Sequence, residues 1–341
     1  MLLSDLTNLA GVSGNENAVR SYIYEHIKDL CNEIEFDSIG NMTAIMRGTK
    51  NTGKKVMLAA HMDEIGMILS RITDDGFIKF KTVGGIDPRV MVSKRVKIGA
   101  NEVPGIIGYK AVHLQDNSER ETTAKTKSLY IDIGAKDKKE AQKRVSIGDY
   151  IVFDSDYIEF GDSLIKARAL DDRAGCLILA GLAGKRFDFD LYLCFTVQEE
   201  VGCRGAKILA GRIKPDIALV LESTTCSDVH GSEPEDYSTV LGNGVALSII
   251  DRSTYYNKHL TEFIHKLAQD NNIPVQYKKT AMGGNDASEI HLAAGGVKTA
   301  ALSLPARYIH SPSSVISKKD FEAMESLVNL FLQEAKTCSN Y

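Results

Sequence analysis

Apolar positions along the chain follow two alternating rhythms. Short runs rich in β-branched and aromatic residues read as buried strands. They cover Glu33 to Phe36, Met42 to Met46, Lys55 to Ala60, Leu191 to Val197, Asp216 to Leu221, Val245 to Ile250, Val275 to Lys278 and Val297 to Leu304. Stretches of helical period lie around them: Leu2 to Leu9, Val19 to Ile27, Cys176 to Ala183, Gly205 to Ala210, Lys258 to Asp270, Ser288 to Leu292 and about Lys318 to Lys336. Strands alternating with helices predict an α/β fold with a mostly parallel sheet. From Leu69 to Asp162 the texture changes to short alternating runs between Gly, Asp-Pro and Lys-rich turns, the pattern of a small all-β module. Inside it, only Ala135 to Val145 reads as a helix, and the polar segment Gln115 to Lys127 reads as a mobile loop. The expected division is therefore a discontinuous domain, 1–68 and 163–341, interrupted by an insert, 69–162.

Composition narrows the functional classes. With 341 residues, 43% of them hydrophobic and 25% charged, the chain has material for a large core and two domains. A net charge of −4, with no Lys/Arg cluster free of neighbouring acids, argues against a nucleic-acid surface. No apolar run approaches a membrane span. Met1 to Ala10 lacks the parts of a signal peptide. The six cysteines (31, 176, 194, 203, 226 and 338) form no CxxC pair and read as reduced thiols of a cytoplasmic protein.

The candidate chemistry sits where apolar runs end. Gly48 to Lys54 spells most of a phosphate loop, but Lys55 follows the lysine and the next element is a strand, so that reading is rejected. The strand ending at Ala60 leads into His61-Met62-Asp63, a spacing that lets one carboxylate hold an imidazole whose other nitrogen faces a metal. A histidine bonded in a loop gives the same pattern. Asp171 precedes an apolar helix, where a metal ligand and an N-cap are both possible. Glu199 and Glu200 close the most apolar strand. On an extended chain they point to opposite sides and take different jobs, though a solvated strand end also ends this way. Glu222 and His310 follow two further strands. A parallel sheet gathers its strand ends along one edge, where ligands bind. Two imidazoles and three carboxylates suit zinc, cobalt or manganese. Five such donors exceed one tetrahedral site and fit two ions sharing a carboxylate, roughly 3.5–4 Å apart. HExxH, GxSxG and complete phosphate-loop motifs are absent.

At these residues the sequence resembles the tetrahedral, co-catalytic metallo-aminopeptidases, the group of glutamyl and deblocking aminopeptidases. The likeness rests on His61-Met62-Asp63-Glu64-Ile65-Gly66, Ala169 to Gly175, Val197-Gln198-Glu199-Glu200-Val201-Gly202, Gly283-Gly284-x-Asp286-Ala287 and Arg307 to Pro312, in that order. Val83 to Arg89 and Ile131-Asp132-Ile133-Gly134 are similar to the family's β-rich dimerisation domain. The resemblance implies a three-layer α/β sandwich with a mostly parallel central sheet, plus an inserted, barrel-like β domain. It implies that Asp171 bridges two metals, with His61 and Glu222 on one and Glu200 and His310 on the other. It implies that Asp63 orients His61 and that Glu199 is the general base. Glu222 stands where the family often has Asp, and Asn285 where Thr is frequent. Family members build dimers and tetrahedral twelve-subunit particles whose sites face an internal cavity.

The expected activity is removal of amino-terminal residues from peptides by a water activated between two metals. Three alternatives remain: a polysaccharide hydrolase using paired carboxylates, a deacylase or carboxypeptidase with the same two-metal chemistry, and a non-catalytic assembly protein with a structural metal.

Overall fold

The computed structural model describes residues 1–335, so the expected end of the last helix at Lys336 and the sixth cysteine, Cys338, lie outside the described residues. Among the described residues, seventeen strands follow one another. The first three are β1 (Glu33–Phe36), β2 (Met42–Met46) and β3 (Lys55–His61). Next come β4 (Gly66–Ile72), β5 (Ile78–Val83), β6 (Arg95–Ile98), β7 (Val103–Gly108), β8 (Tyr130–Asp132) and β9 (Tyr150–Phe153). They are followed by β10 (Ile158–Phe160), β11 (Leu164–Ala167), β12 (Asp190–Thr196) and β13 (Ile217–Thr225). The last four are β14 (Val245–Leu247), β15 (Val275–Tyr277), β16 (Lys298–Arg307) and β17 (Ser314–Ser317). The α-helices are α1 (Leu3–Asn8), α2 (Asn17–Ile27), α3 (Asn117–Glu121), α4 (Lys138–Gln142), α5 (Leu170–Ala180), α6 (Arg204–Ile213), α7 (Lys258–Asp270), α8 (Ala287–Ile290) and α9 (Lys318–Glu334).

Eleven strands form one sheet in the order β1-β2-β12-β3-β13-β16-β17-β11-β10, with β14 and β15 branching from β16. The four central strands, β12, β3, β13 and β16, are mutually parallel. The flanks are antiparallel, with short returns joining β1 to β2, β10 to β11 and β16 to β17. Alternation along the central strands sorts side chains to two faces. Leu58, Leu193, Leu219 and Leu302 pack with α5, α7 and α9, while Met57, Cys194, Val220 and Ala301 pack with α6 and α8. That is the expected three-layer sandwich.

Strands β4 to β9 close a separate six-stranded antiparallel barrel around Leu69, Ile78, Ile107, Ile131 and Ile151. The strand pairing shifts both expected boundaries. β4 already belongs to the barrel from Gly66, and β10 already belongs to the large sheet from Ile158, so 66–68 and 158–162 change sides relative to the sequence reading. The segment expected as a loop from Gln115 holds α3, opened by a capping box between Asp116 and Glu119. The strands β4, β10, β11 and β17 carry no strong pattern of their own and were not anticipated.

Buried charge fastens the start of the chain to the sheet edge. Arg173 Nε donates to the Met62 carbonyl at 2.9 Å, and Arg168 pairs with Glu64 at 2.9 Å. These contacts fix the backbone on both sides of Asp63.

Candidate metal centre and active site

His61 ends β3, and the parallel register with β13 places Val220 opposite Ala59. Glu222 therefore comes level with His61 two residues on. It does not follow the end of its strand, as the sequence had implied. β13 runs on to Thr225, because β16 pairs with it as far as Thr225 opposite Ala306. Asp171 lies at the opening of α5 with an extended backbone (φ −86°, ψ 106°). His310 follows β16 with a left-handed φ of 56°.

Glu199 and Glu200 lie beyond β12, which stops at Thr196. Their side chains diverge, but strand alternation is not the cause. Gln198 turns the chain with φ 58°, and buried carboxylates hold the turn. Glu16 accepts from the Gln198 N–H at 3.2 Å. Asp63 Oδ1 accepts from the Glu199 N–H at 3.0 Å, and Asp63 Oδ2 from the Glu200 N–H at 3.1 Å and from Ser13 Oγ at 2.6 Å.

All seven expected site residues come together. His61 Nε2 is 3.3 Å from Asp171 Oδ1 and 3.4 Å from Glu222 Oε1. His310 Nε2 is 3.7 Å from Asp171 Oδ2 and 3.2 Å from Glu200 Oε2. Asp171 thus offers one oxygen to each histidine. Two groups result, His61–Asp171–Glu222 and Asp171–Glu200–His310, each with donor atoms within 4.8 Å of one another. Asp63 touches His61 twice: its carbonyl is 3.1 Å from Nδ1 and its Oδ1 is 3.5 Å away.

The electrostatics describe a site short of positive charge. Burial, reinforced by the Asp171 charge, pushes the carboxyls of Glu200 and Glu222 well above the usual range. Burial raises Glu199 in the same way. Burial also works on Asp171, but the His61 contact outweighs it and leaves this carboxyl at about 2. Burial opposes a charged His61, and Glu222 and Asp171 overcome it, so its pKa lies well above the ordinary imidazole value. Among the described residues, the ion pairs of Asp171, Glu200 and Glu222 are all with imidazoles. Crowded carboxylates and imidazoles, short of a cation, are a donor set that fits borderline divalent metals.

The groups open on a cavity of about 780 Å³ that Glu199, Glu200, Glu222 and His310 help to line. Sequence reasoning missed four residues around them. Ser13 and Glu16 act across long chain separations that no local pattern reveals. Asp286 stood in a quoted motif without a role. Cys203 reads in the sequence only as one of six scattered thiols. Cys203 Sγ in fact donates to Glu199 Oε1 at 3.4 Å. Burial raises the Asp286 carboxyl to about 6, against the lowering effect of Thr196 Oγ1, which donates to it at 2.5 Å.

Fold and site together define a metallo-aminopeptidase, a hydrolase of the α/β class. The sequence model described as M42 glutamyl aminopeptidase matches residues 40–327, and the chain belongs to that family. Aminopeptidase APDkam598 from Desulfurococcus kamchatkensis is 35% identical with a TM-score of 0.92, over 97% of this chain and 93% of its own. The TET1 peptidase of Pyrococcus horikoshii, which can assemble into a tetrahedron or a large octahedral shell, is 31% identical with a TM-score of 0.86, over 97% and 98%. A Thermotoga maritima structure described as an endoglucanase is 36% identical with a TM-score of 0.82, over 98% of both chains. Among the described residues no helix is long and apolar enough to cross a membrane.

Proposed function

We propose that the protein releases amino-terminal residues from peptides with two divalent ions per chain, zinc or cobalt foremost and manganese also suited. One observation carries this reading: Asp171 turns one carboxylate oxygen to each of two histidines, and each histidine has its own glutamate. In this reading His61 and Glu222 hold one ion, Glu200 and His310 the other, and Asp171 both. When bound, such a pair supplies a water of lowered pKa and a Lewis acid for a carbonyl oxygen. Glu199 is left over, beside both groups and a member of neither. It accepts a proton at its carboxylate and returns it to the leaving amine. Asp63 holds His61 and the turn that carries Glu199 and Glu200. The carboxylate-rich cavity attracts the free α-ammonium of a peptide, which favours an exopeptidase over a deacylase or carboxypeptidase.

The expected result for Glu199→Gln is unchanged metal content with turnover lower by about 10²- to 10⁴-fold. Near-normal turnover on aminoacyl substrates by this variant would remove Glu199 from the mechanism. One relative carries an endoglucanase description, but the geometry here does not favour glycoside hydrolysis. That chemistry needs two carboxyl groups flanking a glycosidic bond and has no use for His61 and His310. Glucan hydrolysis that survives a chelator would establish it, whereas chelator-sensitive release of amino acids supports the peptidase.

The inserted barrel serves in this proposal as the dimerisation unit. The dimers build a tetrahedral particle of twelve chains, an assembly supported by the TET relative. Five free cysteines among the described residues support a cytoplasmic location.

A further inference from the structure

Glu199 has a second set of neighbours, distinct from the two histidine groups. Cys203 Sγ lies 3.4 Å from Glu199 Oε1, and one donor atom each from Glu199, Cys203 and Asp286 lie within 4.8 Å of one another. The backbone holds this arrangement. Cys203 sits at the start of α6 with φ 51°, and its N–H donates to the Glu199 carbonyl at 2.9 Å. Thiol and carboxylate thus belong to one tight turn. Asp286 closes the group from behind and is only 1% exposed. Its Oδ2 accepts from Thr196 Oγ1, its Oδ1 is buried with no hydrogen bond of good geometry, and the Cys203 thiol is close enough to lower its pKa. An unpaired buried carboxylate oxygen is costly unless something compensates it. Cys203 and Glu199 both line the cavity, so an ion can reach them from solvent.

We propose that Glu199, Cys203 and Asp286 form a third cation site, selective for a thiophilic divalent ion such as zinc or cadmium, and that filling it inhibits the enzyme. The donor set differs from the two histidine groups by its sulfur, which favours zinc and softer ions over magnesium, calcium or manganese. Zinc bonds are about 2.3 Å to sulfur and about 2.0–2.2 Å to carboxylate oxygen, so tetrahedral donors lie roughly 3.5 Å apart. The Cys203–Glu199 distance already meets that spacing. Water from the cavity completes the coordination. On binding, the S–H bond of Cys203 breaks, its proton leaves to solvent and a sulfur–metal bond forms, with no change of oxidation state. An ion held here occupies the Glu199 carboxylate. The inhibition therefore rests on the proposed role of Glu199 as proton acceptor, whereas the binding does not.

Two measurements on the metal-loaded enzyme test this. Cadmium titration is followed by the near-ultraviolet charge-transfer absorption of a cadmium–thiolate bond. The histidine groups contain no sulfur and are silent in this measurement. The wild type is expected to gain one such band per chain and Cys203→Ser none. Asp286→Asn is expected to need about 10- to 100-fold more cadmium for the same band. Absence of the band in the wild type, or its persistence in Cys203→Ser, overturns the site. If Cys203→Ser does not fold, an unshifted titration of Asp286→Asn overturns it instead. Zinc in excess over the two bound ions is then expected to inhibit the wild type at least about tenfold more than Cys203→Ser. A band without inhibition overturns the inhibitory role and, with it, the assignment of Glu199.

Discussion

Asp286 shows how one buried residue reports on the charge balance of the site. Burial lifts its carboxyl from 3.8 to about 6 in the folded chain. The folded state then binds a proton that the unfolded state has already released. Stability contributed by this group is present below about pH 4 and declines as pH rises towards about 6. It stays level above that. Asparagine cannot ionise, so Asp286→Asn is expected to remove this decline. The variant should gain on the wild type between pH 4 and 7, by up to about 3 kcal/mol. Urea midpoints of the metal-free proteins across that range check it, and a difference that does not vary with pH would refute the assignment. The candidate ligand residues were legible in the sequence because each stands beside a recognisable apolar run. Asp286 was legible only as a motif letter and Cys203 only as one of six scattered cysteines, since what matters about them is which groups the fold sets beside them.

The turn from Val197 to Cys203 is the element that organises the site. Three successive N–H groups, from Gln198, Glu199 and Glu200, donate to the buried carboxylates of Glu16 and Asp63. Asp63→Asn replaces one acceptor oxygen by a donor, leaving a buried N–H of this turn unpaired at a cost of about 1–3 kcal/mol. The turn that carries both glutamates then loosens. The expected outcome is about 10- to 100-fold weaker metal affinity together with a lower kcat. Metal-buffer titration beside steady-state kinetics checks this, and a fall in kcat at unchanged metal affinity would limit Asp63 to a role beside His61. The strands on either side of this turn were readable because burial on both faces leaves unbroken apolar runs, as in β12 and β3. The turn itself was not readable. Gln198 adopts a left-handed conformation that its residue type does not announce, and its acceptor, Glu16, lies 182 residues away. Strand alternation gave the right divergence of Glu199 and Glu200 for the wrong reason. Glu222 was placed past a strand end because polar residues follow Leu221, yet pairing with β16 keeps the strand going.

At the scale of the molecule, barrel and sandwich meet at the two histidine–carboxylate groups. A Cβ on Gly84, just after β5, would lie 3.4 Å from Glu200 Cβ and 2.8 Å from Ile65 Cγ2, and φ there is 79°. One on Gly85 would lie 3.4 Å from His310 Nδ1. The insert therefore packs against candidate ligand residues, and whatever fixes the barrel also bears on the site. Elsewhere the insert leaves apolar side chains in water: Val112 is 68% exposed, Leu114 63% and Ile147 71%. Exposed apolar residues of this size on one small module are what a self-association surface offers. If the barrels pair and the pairs close a tetrahedron, twelve chains of 37.3 kDa give a particle of about 450 kDa. Sedimentation of the wild type is expected to find that mass. Replacing Val112 and Leu114 together by Glu sets like charges against one another across such a contact. The double variant is expected to sediment as smaller species while its melting curve keeps the cooperative transition of a folded chain. Wild-type protein that sediments as a single chain would refute the assembly. A double variant that still forms the full particle would move the contact to another face of the barrel.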